Sequence, residues 1–249
     1  MQPLDSLLSL IAPHHCFICR KEGSTCCQKC LSFKISQKLT PTCYKCSKKI
    51  SLITSASTPG ICKLCIATQS LNSVSWPLDF EESLAEYLIK SLKFNHSYQS
   101  AKPIAQGLQY LDLDLASISN PSNIIVTAIP TANERVRQRG WDQAKLIAKK
   151  YARLEHLNYK SLLLRASSFD QIGASKLERS EASVKFFKPR RLSLIKGSTV
   201  ILIDDVVTTG STLNAAAKIL KEAGANEVHG LVFARQGLHK IKYSNNPKS

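Results

Sequence analysis

Val200-Ile201-Leu202-Ile203-Asp204-Asp205-Val206-Val207-Thr208-Thr209-Gly210-Ser211-Thr212-Leu213 decides how the rest of this 249-residue chain is read. Val200 to Ile203 is an unbroken apolar run, which suits a strand buried on both faces, as in a parallel sheet. Two adjacent carboxylates, Asp204 and Asp205, follow where that strand is expected to run out. The small-residue loop Thr208–Thr212 then feeds a helix whose apolar positions Leu213, Ala216, Ala217 and Leu220 share one face. Gly224 stands where a left-handed helix stop belongs. A Gly/Ser/Thr loop entering a helix offers backbone N–H groups, hydroxyls and a positive dipole end, a combination that cradles a phosphate. The acids would repel that phosphate on contact, so they suit the hydroxyls of a sugar or a hard cation such as Mg²⁺. No Gly-Lys-Ser/Thr closes the loop, so it is not a Walker A sequence, and a sugar phosphate fits better than a nucleoside triphosphate. A plain solvated turn would need neither the acid pair nor two consecutive threonines.

Val200–Thr212 resembles the phosphoribosyl-pyrophosphate (PRPP) loop of type I phosphoribosyltransferases. That loop has four apolar residues, two acids, two more apolar residues, then Thr-Thr-Gly and Ser/Thr. The resemblance implies a PRPP site over Asp204, Asp205, Val206, Val207, Thr208, Thr209, Gly210, Ser211 and Thr212. In it the 5′-phosphate lies in the Thr208–Thr212 loop and the two acids face the ribose, with magnesium accompanying PRPP. Members acting on purine bases often carry a further Asp at the position of Thr208, which passes a proton to the base. Thr here removes that route and leaves the acceptor open.

The length allows one large or two modest domains, and a hydrophobic share of 43% excludes disorder throughout. A net charge of +16 suits a polyanionic partner: nucleic acid, a phosphorylated ligand or an acidic membrane surface. Leu4–Ala12 is apolar but short and lacks a cationic start, so it reads as a small amphipathic helix rather than a signal peptide. Nothing approaches the roughly 20 apolar residues of a membrane span, and a cytoplasmic protein with reduced thiols is expected.

Eight of the nine cysteines fall in pairs of one spacing, Cys16/Cys19, Cys27/Cys30, Cys43/Cys46 and Cys62/Cys65. Two intervening residues let both sulfurs meet one tetrahedral ion, and two such knuckles complete a four-thiolate zinc site. Taken in order, Cys16, Cys19, Cys27 and Cys30 hold one zinc, and Cys43, Cys46, Cys62 and Cys65 a second. An interleaved pairing would need a cross-braced fold. A disulfide framework wants an oxidising compartment, and a redox dithiol wants one pair in a βαβ setting. Cys26 is expected to be a bystander, and His14 and His15 surface residues. Too few large apolar residues surround these thiols for unaided folding, so the metal is expected to supply stability. Residues 1–75 carry nine Lys/Arg against only Asp5 and Glu22, with Lys45, Lys48, Lys49 and Lys63 around the second set. Such a ribbon holds a nucleic-acid backbone or docks on a protein.

The expected organisation is a double zinc-ribbon region over 1–75 and a phosphoribosyltransferase-like domain over 76–249, divided at Trp76-Pro77. Apolar periodicity predicts helices from Glu81 to about Phe94 and from Lys102 to about Leu111. A polar loop, Ser117–Asn123, precedes a buried strand Ile124–Ile129. Arg135, Arg137 and Arg139 follow it at alternate positions, ahead of a helix Asp142–His156. Guanidinium groups pair bidentately with phosphate oxygens, and ligands collect beyond the carboxyl ends of parallel strands, so the three arginines are read as a pyrophosphate clamp. Leu162–Leu164 reads as a short strand and Arg165–Pro189 as a cover over the site. Val228–Ala234 is the last strand and Ser244–Ser249 a loose tail. Alternating strands and helices give an α/β fold, a doubly wound parallel sheet.

Zinc knuckles ahead of this loop resemble the ComF family (also called GntX) over nearly the whole chain. Arg135–Gln143 is similar to its Arg-Gly-Phe-Asn-Gln segment, with Trp141 for Phe and Asp142 for Asn, and Lys93-Phe94 to its Leu-Lys-Phe signature. Gln171 and Arg179 match its cover loop, where Ala174 and Ala182 replace Leu and Asn. The resemblance implies handling of incoming single-stranded DNA in natural transformation, alongside competence proteins such as a ComF-type helicase or a DNA-processing protein. It implies a PRPP-dependent transferase; the alternative is a non-catalytic nucleic-acid- or protein-binding adaptor that keeps the fold to sense a ligand. No residue stands out as a general base.

Overall fold

The computed structural model describes residues 14–36, 43, 45–46, 48, 61–62, 65, 67–94, 97–111, 123–165 and 186–237. Outside these lie the expected Leu4–Ala12 helix, Lys49 and Lys63, most of the Ser117–Asn123 loop, the cover segment 166–185 with Gln171, Ala174, Arg179 and Ala182, and the tail.

The quoted stretch forms β7 (Thr199–Val207), followed by α7 (Ser211–Glu222). The strand runs further than its apolar residues suggest, so both acids lie inside it rather than beyond its end. In chain order the preceding elements are α1 (Gln28–Ser36), β1 (Ser73–Ser75), β2 (Leu78–Asp79), α2 (Ser83–Phe94), α3 (Ala101–Gln109), β3 (Ile124–Ala128), α4 (Asn133–Arg139), α5 (Gln143–Leu154), β4 (Asn158–Tyr159), β5 (Leu163–Arg165), β6 (Phe187–Pro189) and α6 (Leu192–Ile195). The strand β8 (Glu227–Arg235) follows α7.

Six strands form one sheet in the order β1-β8-β7-β3-β4, with β2 also on β8, and every pairing is parallel. Side chains alternate along each strand, so one strand feeds two layers. Ile201 and Ile203 face a layer made by α2, α3 and α5, whereas Val200 and Leu202 face a layer containing α7. This is the doubly wound arrangement. The expected Leu162–Leu164 strand behaves differently: β5 pairs antiparallel with β6 in a separate two-stranded ribbon, at the two ends of the expected cover. Leu163 and Phe187 bury their side chains in the α7 layer, which anchors the ribbon.

The cysteine modules take part in both layers. Cys26 and Leu31 are buried with α2 and α3, and Phe17 stacks on Tyr87 with ring centroids 4.3 Å apart. Cys43 and Ile61 belong to the opposite layer, beside Trp76 and Val74. The sheet already includes Ser73–Ser75, ahead of the division expected at 75/76. No helix among the described residues is long and apolar enough to cross a membrane.

Candidate active site and metal centres

Parallel strands deliver their ligand-binding loops at one edge, the carboxyl ends. At that edge a cleft of about 320 Å³ lies between β7 and the segment after β3. Asp204, Asp205, Val206, Thr208 and Thr212 line one wall, and Thr131, Ala132, Arg135, Arg139 and Gln143 the other. A smaller hollow of about 50 Å³ continues over Val207, Gly210 and Ser211. The loop turns on Gly210, whose φ of +73° is left-handed and favours glycine, and α7 begins there without a side-chain cap. Thr209 and Ser211 bond through their hydroxyls at 3.1 Å. The remaining expected member, Thr209, is exposed beside the hollow. Leu213, Ala216, Ala217 and Leu220 are buried as expected, and Gly224 ends the helix at φ +96°.

The three arginines separate. Their segment is a helix and not the extended alternation their spacing suggests, so a four-residue step brings Arg135 and Arg139 to the cleft. Arg137, two residues from each, points to another side and is exposed. Gly140, at φ +83°, closes this helix. Asp142 then caps α5, accepting from the Lys145 backbone N–H at 3.0 Å and the Thr131 hydroxyl at 3.1 Å. It thereby ties the strand-end loop to the helix. Trp141 donates its indole N–H to the Leu92 carbonyl at 3.2 Å, docking α2 on the arginine wall.

Lining residues with no site role in the sequence reading include Lys93, Arg165 and Gln236. Lys93, at the last turn of α2, places its ammonium 2.7 Å from Asp205 Oδ2. Arg165, at the end of β5, reaches the Pro130 carbonyl at 3.4 Å and lies near Phe187. Gln236, just past β8, completes the rim. The Leu-Lys-Phe signature was a signal for Lys93; nothing local marks the other two. Burial, together with the Asp205 charge, pushes the Asp204 carboxyl up to about 8 against the help of the Asp205 backbone N–H and Lys93. Burial, aided by Arg135, lowers Arg165, while Asp204 acts the other way. Four cations thus crowd a cleft holding two acids.

The thiols gather in the two sequential sets, Cys16, Cys19, Cys27 and Cys30, and Cys43, Cys46, Cys62 and Cys65. All sulfurs of a set lie within 4.8 Å of one another. A tetrahedral ion with Zn–S of about 2.3 Å needs sulfurs roughly 3.8 Å apart; Cys19 to Cys27 and Cys46 to Cys62 are each 3.7 Å. The donor sets therefore fit zinc. Cys26 stays outside, and burial with neighbouring thiolates pushes its thiol up to about 12. His15 is exposed, 3.5 Å from Glu22.

A family profile described as the phosphoribosyl transferase domain matches residues 154–248, the part that contains β7 and α7. The fold and that match define the chain as a phosphoribosyltransferase-domain protein. It is 28% identical to competence protein ComFC of Bacillus subtilis over 201 residues, 73% of this chain and 78% of that one. Competence protein F of Haemophilus influenzae is 30% identical over 59% of this chain and 66% of its own. DNA utilization protein YhgH of Escherichia coli O157:H7 is 29% identical over 57% and 63%. The chain spans just under two thirds of the latter two. These matches support a ComF-family phosphoribosyltransferase-like protein.

Proposed function

We propose that the cleft binds Mg²⁺–PRPP and that the protein serves the uptake of DNA, acting on incoming single strands in natural transformation. The observation that carries the first part is the convergence of Asp204, Asp205, Thr208 and Thr212 with Arg135 and Arg139 in one cleft at the strand ends. Residues 208–212 take the 5′-phosphate, where an uncapped helix start favours an anion. Asp204 and Asp205 receive the ribose hydroxyls, and Lys93 holds Asp205 in place before they arrive. Arg135 and Arg139 face the pyrophosphate; Arg137, turned away, has no part in it. The magnesium ion belongs to the substrate and neutralises pyrophosphate charge. A nitrogen nucleophile then forms a bond to the anomeric carbon as the carbon–oxygen bond to pyrophosphate breaks. The arginines stabilise the charge gathering on that leaving group.

The names of the relatives support the cellular role, and the basic chain supports contact with a nucleic-acid backbone. One zinc is bound by each four-thiolate set, in a cytoplasmic protein with a ribbon region before a transferase domain. Calorimetry with Mg²⁺–PRPP, together with an assay for released pyrophosphate, tests the site. Absence of both heat and pyrophosphate with every nitrogenous acceptor tried sinks it. Single-stranded DNA affinity should fall steeply between two salt concentrations. If Asp204→Asn/Asp205→Asn abolishes PRPP binding yet transformation persists, the protein is an adaptor and the transfer is not its task.

A further inference from the structure

Gln143 opens α5 at the floor of the cleft, and its side chain has an unsolved bonding problem. The residue is only 2% exposed, yet it lines the cleft between Arg139 and Ala144. Its Oε1 accepts from an Arg139 guanidinium N–H at 3.3 Å. A guanidinium only donates, so the amide cannot be turned round without setting donor against donor. Its orientation is fixed, and Nε2 is left buried with no acceptor. The neighbouring carboxylate, Asp142, is occupied by Thr131 and Lys145.

A buried N–H without an acceptor is destabilising, and such a group persists where a ligand supplies the missing oxygen. The surroundings name the ligand's charge: Arg135, Arg139 and Arg165 all line this end of the cleft. The 5′-phosphate loop lies at the other wall, so the oxygen here belongs to a different phosphate. We propose that Gln143 is a direct ligand of the pyrophosphate group, donating its amide N–H to a phosphoryl oxygen held between Arg135 and Arg139. This rests on the reading of the cleft as a PRPP site. A neutral donor adds a bond with fixed direction to a place already rich in positive charge, so it selects the orientation of the diphosphate. Arg135 is exposed and Arg139 half-buried; in this proposal both turn onto the anion and so uncover the amide.

The test is calorimetric titration of the full-length, zinc-loaded protein with magnesium pyrophosphate and, separately, with ribose 5-phosphate. Gln143→Met should weaken pyrophosphate by roughly tenfold or more, as for a hydrogen bond to a charged group, and leave ribose 5-phosphate unchanged. The loss should persist in an Arg139→Met background. Gln143→Glu, which keeps an acceptor for Arg139 and protects the fold, should weaken pyrophosphate further. If Gln143→Met costs nothing once Arg139 is gone, Gln143 only positions that arginine and the proposal is wrong. Equal losses for both ligands overturn it too. A wild-type protein that binds neither ligand removes the PRPP reading itself, whereas normal pyrophosphate binding by both variants removes only this role.

Discussion

Asp204 and Asp205 are neighbours in sequence with different fates. Asp205 has a cation at 2.7 Å, whereas at Asp204 burial and the like charge outweigh that cation and a backbone N–H, and its carboxyl is raised to about 8. A carboxyl raised in the folded state favours folding below its unfolded value, and that benefit is lost as pH climbs from about 4 through 8. Asp204→Asn does not titrate, so its stability relative to wild type should grow across that window and level off above it. Thermal melts at pH 5, 7 and 9 check this; a constant difference refutes the raised carboxyl. Lys93→Met should destabilise by on the order of 1–3 kcal/mol, since it strands Asp205. Adding Asp205→Asn should restore most of the loss in urea titrations. The acid pair and its loop could be read directly, because one strand, one turn and one helix carry them contiguously. Lys93 could not, because its role appears only when α2 crosses to the end of β7. The same holds for Arg165 and Gln236, which tertiary packing brings to the rim.

Between β3 and α5, three arginines at alternate positions look like one side of an extended segment. The chain instead coils into α4, and its period decides which guanidinium groups meet the cleft. Arg135→Ala and Arg139→Ala should each weaken magnesium pyrophosphate by roughly tenfold or more, while Arg137→Ala stays within about twofold. Equal losses at all three would show that the extended reading was right. Helix starts and stops were otherwise well marked: Asp142 caps α5, Gly224 ends α7, and periodic apolar residues fix the buried faces. The strands β1, β2 and β4 have only two or three residues each and were not legible. So short a run has no period of its own, and its pairing comes from neighbours already in the sheet.

Across the molecule, the two cysteine modules flank the sheet, one contributing Cys26 and Leu31 to the α2–α3 layer and the other Cys43 and Ile61 to the α7 layer. The knuckles themselves were readable from spacing, but spacing left an interleaved pairing open, and the structure brings them together in sequential order. Their attachment to opposite layers was not readable, since it depends on apolar contacts distant in the chain. Metal analysis should find two zinc ions per chain, one for each set. Cys16→Ser should lose one of them and lower the melting temperature, whereas Cys26→Ser should keep both. Loss of zinc from Cys26→Ser would make that thiol a ligand after all.

The placement of β1 bears on how the protein is made. Ser73 and His229, 156 residues apart, sit opposite one another, and among the described residues β1 has only β8 as its partner in the sheet. A chain growing on the ribosome therefore exposes its thiols long before the strand that seats Ser73–Ser75 has been translated. Early metal capture would protect those sulfurs from oxidation, but completion of the sheet waits for Glu227–Arg235 to be made. Non-local pairing of this kind slows folding. Truncation ahead of residue 227 would strand the metallated front end without its berth.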